Sequence, residues 1–467
     1  MKSARLSLLV VLASLARIGT ASAQVPTTTD PAPSPATLPP SSPEPPPAPA
    51  GPSPRGTAPD AGGPVTVPAP SPATPAPSPL EKVTNAVTSL VRPYGTFKPT
   101  IDVSVGAIES YGNPNASAPT AAGNPALSNA PKDTRYSFQM AQSRVGIWVA
   151  EKSQARAHLE IDFVDFTKAS PTVAATPRLR VATVDYEPIE HFVISAGQDW
   201  DLYSPVNPFT TNLVGSNFEA GNSGFMRQQV KFIETIPDAV ELAFAIGMPA
   251  QNASFKDAGM ELARVPTFAV RAAAIVGTTG RIGVSGIATQ LRQGLGTPQE
   301  RRTGAYSANV YADIGKADGF QLKAEGYIGR NMNNIGALTL AFGTATKDVD
   351  ELGGYVSMRQ SLAPNHAVYL TVGAAGVLNP ENVVPDYAIT AGANGAAATR
   401  ALSGTGPGMK LNMHANVGYE YRPYKPVAIL LEPQLFRSRH VLQQADWGKF
   451  DPLRTAVGAE ASMMYFF

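Results

Sequence analysis

The strongest constraint on the fold is an alternation of apolar and polar residues that recurs along the chain after Arg92. In KLNMHANVGYEYR, residues 410–422, every second side chain from Leu411 is apolar and its neighbours are mostly polar. RAHLEIDF, residues 156–163, shows the same period. A period of two residues predicts strands with one apolar and one polar face. No apolar run after Arg92 is long enough for a membrane-spanning helix.

Sixteen segments with this pattern are predicted to be strands, and most approach the roughly 10 residues that a tilted strand needs to cross a bilayer. They cover residues 97–109, 137–150, 156–165, 178–187, 191–198, 226–235, 239–249, 267–277, 281–291, 306–314, 319–330, 354–362, 367–377, 410–422, 427–436 and 454–467.

The connections between these segments alternate in length: seven tight turns and eight longer stretches rich in Gly, Asn and Pro. The turns lie at 151–154, 188–190, 236–239, 278–280, 315–319, 363–366 and 423–426. Outer-membrane barrels combine short periplasmic turns with long extracellular loops, and they close because lipid offers an open sheet edge no hydrogen-bond partner. The sequence therefore predicts an all-β fold, a 16-stranded antiparallel transmembrane β-barrel over residues 95–467. A secreted β-sandwich or propeller is the alternative.

The last residues, AVGAEASMMYFF, fit the closing strand of such a barrel. Every second residue from Val457 to Phe467 is apolar, and the chain ends on an aromatic ring. Aromatic residues form girdles at both membrane interfaces of a barrel. We therefore expect the last strand to pair with the first, with Phe467 at the periplasmic interface.

Three segments precede the predicted barrel. Residues 1–23 combine a basic start, a short apolar run and a small-residue cleavage site, which predicts a secretory signal peptide. Residues 24–79 are dominated by Pro, Ala, Ser and Thr and predict a disordered Pro-rich spacer. Residues 80–92 carry apolar residues on one stripe and predict a short periplasmic helix packed on the underside of the barrel, with a small oligomerisation coil as the alternative. The chain has no cysteine, which excludes a cysteine-linked lipid anchor and disulfides.

Three stretches resemble the DcaP-like porins of Gram-negative outer membranes: SRVGIW at 143–148, GQDWDLYSP at 197–205 and GFMRQQVKF at 224–232. The resemblance implies a location in the outer membrane, in contact with its lipid. It also implies a homotrimer packed through the barrel walls, which the small residues Gly106 and Ala107 would allow. The Pro-rich spacer departs from the family, in which a longer periplasmic coiled coil is typical.

The third long connection, residues 199–225, carries charged and aromatic residues together. The resemblance implies that this loop folds into the lumen and narrows it. We predict that the carboxylates supply charge there and that the rings anchor the loop to the wall. The predicted constriction residues are Asp199, Trp200, Asp201, Tyr203, Phe209 and Glu219. An external loop that caps the barrel mouth is the alternative.

Strand parity places a set of cations on the inner face, because a charge that faces mid-bilayer lipid costs about 2–4 kcal/mol. The predicted basic wall consists of Arg144, Arg180, Arg227, Lys231 and Arg271. The alternative for each cation is an ordinary ion pair in the lumen, with Asp102, Glu160, Asp162, Glu325 or Glu460 as candidate partners. Arg180 and Asp185 have opposite parity on one strand, so we predict that Asp185 faces outward near the periplasmic rim.

The sequence indicates a channel and contains no catalytic motif. It has no HExxH motif, phosphate-binding loop or closely spaced metal-ligand cluster, so we expect no enzyme activity, no cofactor and no metal. The net charge of +1 favours no nucleic-acid partner.

We predict passive diffusion of small hydrophilic solutes. Loop carboxylates and the basic wall would face each other across a narrow gap and give a weak preference for anions. The resemblance implies dicarboxylates or similar anions as cargo. A structural or adhesive barrel without channel activity is the alternative.

Overall fold

The structure is a computed structural model. It describes residues 90–105, 134–168, 173–213, 217–248, 256–257, 260–261, 265–293, 298, 301–332, 340, 347–383, 387–390, 399–402, 408–441 and 453–467. The predicted signal peptide, the spacer over 24–79, residues 80–89 of the predicted helix, and Gly106 and Ala107 lie outside these residues. No helix among the described residues is long and apolar enough to cross a membrane.

Sixteen antiparallel strands form one sheet, and the first two strands are each interrupted once. They are β1 (Val91–Phe97 and Thr100–Val105), β2 (Thr134–Gln139 and Arg144–Val149), β3 (Ala155–Lys168), β4 (Val173–Ile189), β5 (Phe192–Trp200), β6 (Met226–Ile236), β7 (Val240–Gly247), β8 (Thr267–Val276), β9 (Gly280–Gln293), β10 (Arg301–Gly315), β11 (Phe320–Arg330), β12 (Asp350–Ala363), β13 (His366–Val377), β14 (Met409–Tyr424), β15 (Val427–His440) and β16 (Leu453–Phe466).

The sheet closes into a barrel because β1 pairs with strands at both ends of the chain. Val103 lies opposite Tyr136 of β2 on one side and opposite Ala459 of β16 on the other. Every other strand pairs with its neighbours in sequence. The predicted fold class is therefore confirmed, and each of the sixteen predicted strands overlaps one strand of the barrel.

The longer connections hold small elements of their own. Lys256–Asp257 pairs with Met260–Glu261 between β7 and β8. Tyr387–Thr390 pairs with Thr399–Leu402 between β13 and β14, after a short 3-10 helix at Pro380–Asn382.

The two faces of the barrel wall differ as the alternation predicts. On β9, Val284 is 55% exposed, whereas the next residue, Ser285, is 7% exposed. On β14, Val417 is 54% exposed and Asn416 is 2% exposed. The outer face is therefore an apolar belt and the polar side chains fill the interior. A closed barrel with such a belt is the architecture of outer-membrane proteins, which agrees with the predicted location.

The barrel begins earlier than the sequence indicates. Val91 and Arg92, which end the predicted helix, lie in β1 opposite Val149 and Trp148 of β2. The alternation is hard to recognise there, because Pro93 and Gly95 interrupt it.

The end of the chain is fixed by main-chain and aromatic contacts to β1. The Phe467 amide and carbonyl groups exchange hydrogen bonds of 3.1 Å with Gly95. The Phe467 ring stacks on Phe97, with ring centroids 5.2 Å apart. Inside the same seam, Lys98 donates to Glu460 over 2.7 Å, and both side chains are buried. The final aromatic residue therefore helps to close the barrel.

We expect Gly95→Leu to prevent closure. A Cβ at position 95 would approach the Phe467 ring and lie 2.7 Å from the carbonyl oxygen of Arg144. The measurement is the shift on gel electrophoresis that a folded barrel shows when it is heated. Gly304→Leu is the control, since a Cβ there would meet nothing within 4 Å. Equal yields of folded protein for both variants would contradict the prediction.

Candidate pore constriction

In the connection between β5 and β6, residues 201–225, the described residues 201–213 and 217–225 lie inside the barrel. We call this connection the inner loop. Its first turn rests on the far wall, where the Tyr203 carbonyl oxygen accepts from Ser285 of β9 and from Asn309 of β10, the latter over 2.9 Å. Burial raises the pKa of Tyr203 well above its ordinary value, so its hydroxyl stays protonated and donates to Ser223 O over 3.0 Å.

A buried carboxylate on β11 makes the first anchor of the inner loop. Glu325 accepts from the Ser204 hydroxyl over 2.6 Å and from the Val206 amide over 3.0 Å. Tyr355 of β12 donates to the Val206 carbonyl oxygen over 2.8 Å. All these partners are neutral, so hydrogen bonds rather than an ion pair satisfy the carboxylate.

A second buried carboxylate, Glu432 of β15, holds the loop further along. It accepts from the Thr210 hydroxyl over 3.0 Å and from the Thr211 amide over 2.7 Å. Tyr369 of β13 donates to the same carboxylate over 2.8 Å. Between the two anchors, the Phe209 amide donates to Ser357 of β12 over 2.8 Å. The inner loop is thus tied to successive strands of one wall.

The tip of the described loop reaches the opposite side of the seam. The Leu213 carbonyl oxygen accepts from Arg144 of β2 over 2.8 Å, and the Leu213 amide donates to Gln142 over 3.0 Å. Gln142 also accepts from the buried Lys98 over 2.6 Å. The loop therefore contacts the wall on both sides of the seam, at β15 and at β2.

The returning part of the loop packs tightly against β12 to β14. Asn217 accepts from His414 of β14 over 2.5 Å. Gly221 has a φ of 106°, and a Cβ there would collide with the main chain of Gly354. A glycine is required at this point because it permits both the conformation and the close approach.

The predicted constriction residues do not all lie where the sequence placed them. Asp199 and Trp200 are the last two residues of β5, whereas Asp201, Tyr203, Phe209 and Glu219 belong to the inner loop. Phe209 lies under the Lys323 ammonium, 4.7 Å from ring centroid to nitrogen. Trp200 lies under the Arg180 guanidinium at 5.4 Å. Tyr203 and Glu219 are buried against the wall.

The expected gap between loop carboxylates and a basic wall is wrong for Asp199 and Asp201. Asp201 accepts from Arg227 over 2.6 Å, and Asp199 is in direct contact with Lys231. β5 and β6 are adjacent, with Asp199 opposite Arg227 in their register, and the two contacts run diagonally: Arg227 to Asp201 and Lys231 to Asp199. Strands that are hydrogen-bonded neighbours bring such side chains together rather than across a lumen.

Four of the five cations of the predicted basic wall are paired with carboxylates. Besides the two pairs just described, Arg180 contacts Glu160 at 2.6 Å and Arg271 contacts Glu241 at 2.6 Å. Glu241 is shared with Arg281 at 3.0 Å. Arg144 has no carboxylate within ion-pair distance among the described residues. The inner wall from β2 to β9 is therefore a row of ion pairs more than a basic surface.

The prediction that Asp185 faces outward is also wrong. Asp185 points inward and contacts Arg156 at 3.5 Å, while Val184 and Tyr186 on either side are exposed. The register between β3 and β4 shifts where Glu160 lies opposite Val181 and Ile161 lies opposite Leu179. Arg180 is the extra residue of this β-bulge, which lets two side chains of opposite parity face the same way.

Several contact residues were missed by sequence reasoning. Glu325 and Glu460 were candidate partners for inward arginines, but they bind the inner loop and Lys98 instead. Glu432 and Tyr369 were not singled out. A buried carboxylate surrounded by loop donors has the same strand pattern as one that pairs with a cation, so alternation alone carries no signal for the difference.

Among the described residues, no three His, Asp or Glu side chains are grouped as a metal site would require.

No protein-family model and no curated protein matches the sequence. Among solved structures, the outer membrane channel DcaP of Acinetobacter baumannii matches with a TM-score of 0.57 and 12% identity, over 81% of this chain and 97% of that one. The fold is that of a porin. An OmpF structure from Salmonella typhi in complex with daunomycin matches the porin fold with a TM-score of 0.48 and 12% identity, over 81% and 97% of the two chains. The anion-selective porin from Comamonas acidovorans matches at 0.47 and 11%, over 81% and 99%.

The likeness to DcaP confirms the predicted resemblance at the level of the porin fold.

We expect Glu432→Leu to release the inner loop from the wall. The Thr211 amide and the Tyr369 hydroxyl would lose a buried acceptor, at a cost of about 1–3 kcal/mol for each unsatisfied donor. Limited proteolysis of the folded barrel should then cut within residues 201–225.

Glu351→Leu is the matched control. Glu351 is a buried carboxylate that accepts from Tyr327 over 2.6 Å and from the Leu340 amide over 2.9 Å, and neither partner belongs to the inner loop. Cleavage within the inner loop in both variants, or in neither, would count against Glu432 as an anchor.

Proposed function

We propose that the protein is a passive diffusion channel for small hydrophilic solutes in the outer membrane of a Gram-negative bacterium. The observation that carries the proposal is the inner loop, which is held inside a closed 16-stranded barrel by Glu325 and Glu432. A loop anchored in this way takes up part of the lumen and so narrows it. A purely structural barrel would not need such a device.

The surface of the inner wall from β2 to β9 suits hydrated solutes. It presents ion pairs between neighbouring strands, such as Arg178 with Asp162 at 2.7 Å and Arg156 with Glu187 at 3.1 Å. Counting the described ion-pair members from β2 to β9 together with Arg144, there are eight cations and seven carboxylates. This excess of one positive charge supports a weak preference for anions, and small organic acids such as dicarboxylates are the proposed cargo.

We further propose that the channel is a homotrimer whose barrels pack through their apolar belts, surrounded by outer-membrane lipid. The support is the resemblance to DcaP-like porins and the many exposed hydrophobic residues of the outer face. A trimer should migrate as such on native gels after mild detergent extraction. A monomer under those conditions would oppose this part of the proposal.

The channel activity itself is tested with purified protein in a planar lipid bilayer. We expect stepwise increases in current whose size is proportional to voltage, as a passive, water-filled pore without a gate requires. The heat-dependent shift on gel electrophoresis shows that the sample is folded. Folded protein that gives no conductance would favour the structural or adhesive alternative.

A further inference from the structure

Arg144 differs from the other four cations of the predicted basic wall in its partners. Arg180, Arg227, Lys231 and Arg271 each contact a carboxylate. Arg144 instead donates from Nη2 to the Leu213 carbonyl oxygen, a neutral acceptor, over 2.8 Å. Its Nε is buried and has no hydrogen-bond partner. A main-chain carbonyl satisfies a donor but leaves the charge of the guanidinium uncompensated.

The reason lies in the neighbouring strand. Arg144 sits directly opposite Asp162 in the register of β2 and β3. Asp162, however, accepts from Arg178 through two hydrogen bonds of 3.0 and 2.7 Å, and it also contacts Arg180 at 3.4 Å. The paired geometry of a guanidinium and a carboxylate uses both oxygens. The carboxylate that would neutralise Arg144 is therefore already occupied.

Charge is unbalanced in this cluster. Arg144, Arg178 and Arg180 stand against Glu160 and Asp162, which leaves one positive charge in excess. The pairs of Arg227 with Asp201 and of Lys231 with Asp199 are neutral, whereas Arg271 and Arg281 share the single carboxylate of Glu241 and also leave one positive charge in excess. The unbalanced cluster lies where the tip of the inner loop meets the wall. A charge at a narrow point of a pore acts on passing ions more strongly than one in a wide part, because less water screens it.

We propose that Arg144 sets the charge preference of the pore and that the favoured solutes are compact oxyanions such as small organic acids. The inference rests on the proposed channel function. The guanidinium acts through its field at the junction of Leu213 and β2, while the paired cations hold the wall together. Selectivity then depends on one residue in place of a distributed basic surface.

The experiment measures the ratio of chloride to potassium permeability from the zero-current potential in a KCl gradient. R144Q should lower this ratio about tenfold, because one unit charge at roughly 6 Å in a water-like dielectric changes the local concentrations of chloride and of potassium about threefold each, in opposite directions. R144K should keep the wild-type ratio. The matched control is R271Q, which also removes one positive charge but leaves Glu241 paired with Arg281. Its ratio should change by less than half as much.

A second measurement does not depend on the folding of R144Q. Because the chain has no cysteine, R144C introduces the sole thiol, and the proposal requires that reagents reach it from the lumen of the folded, conducting pore. A cationic methanethiosulfonate should restore the preference for chloride, and an anionic one should lower it further. Both shifts should shrink in 1 M salt, where the Debye length is about 3 Å.

The outcomes separate the inference from the function on which it rests. Wild-type protein without conductance would refute the channel itself. A conducting wild type whose permeability ratio is unchanged in R144Q, or changed equally in R271Q, would refute the role of Arg144 alone. If R144K had the same permeability ratio as R144Q, the effect would belong to the contact with Leu213 and not to the charge.

Discussion

The hydrogen bonds between β1 and β16 are the interaction on which the rest of the structure depends. A strand edge in lipid has no other partner for its amide and carbonyl groups, so the sheet is stable only when it is closed. The contacts of Phe467 with Gly95 and Phe97 complete that closure at the end of the chain. The buried pair of Lys98 and Glu460 stiffens the seam from inside. Once the ring is closed, every inward side chain has a fixed neighbour.

Closure divides the interior into two halves with different chemistry. Beneath the inner loop, Glu325 and Glu432 accept from neutral hydroxyl and amide groups. On the facing wall, carboxylates such as Glu160 and Glu241 pair with arginines of adjacent strands. Buried carboxylates are stable only when their oxygens are satisfied, and both solutions achieve this. The first fixes a loop, whereas the second leaves a polar, hydrated surface beside it.

The barrel could be predicted from sequence because its signals are local. A strand such as β14 shows its two faces in consecutive residues. Only three residues separate β8 from β9, the strand with which it pairs. The inner wall was predictable only in part. Arg180 faces inward, as its position in the alternation indicates. It is also the extra residue of a β-bulge, however, so Asp185 faces inward as well.

The contacts between the inner loop and the wall could not be predicted from the sequence, for a different reason. Which carboxylate binds the inner loop depends on how far the loop extends after Tyr203, and residue order alone does not encode that distance. Asp199 and Lys231 illustrate the opposite case: they lie on the adjacent strands β5 and β6, diagonally offset in the register, so the local strand pairing brings them together.

The anchors of the inner loop also set an order of assembly. Ser204 and Glu325 are 121 residues apart in sequence, and Thr211 and Glu432 are 221 residues apart. Contacts of such separation form late, because the intervening chain must first be placed. A nascent barrel that still lacks β15 would lack Glu432, which binds the inner loop at Thr211. The aperture would therefore be wide at first and reach its final size only when the C-terminal strands have joined.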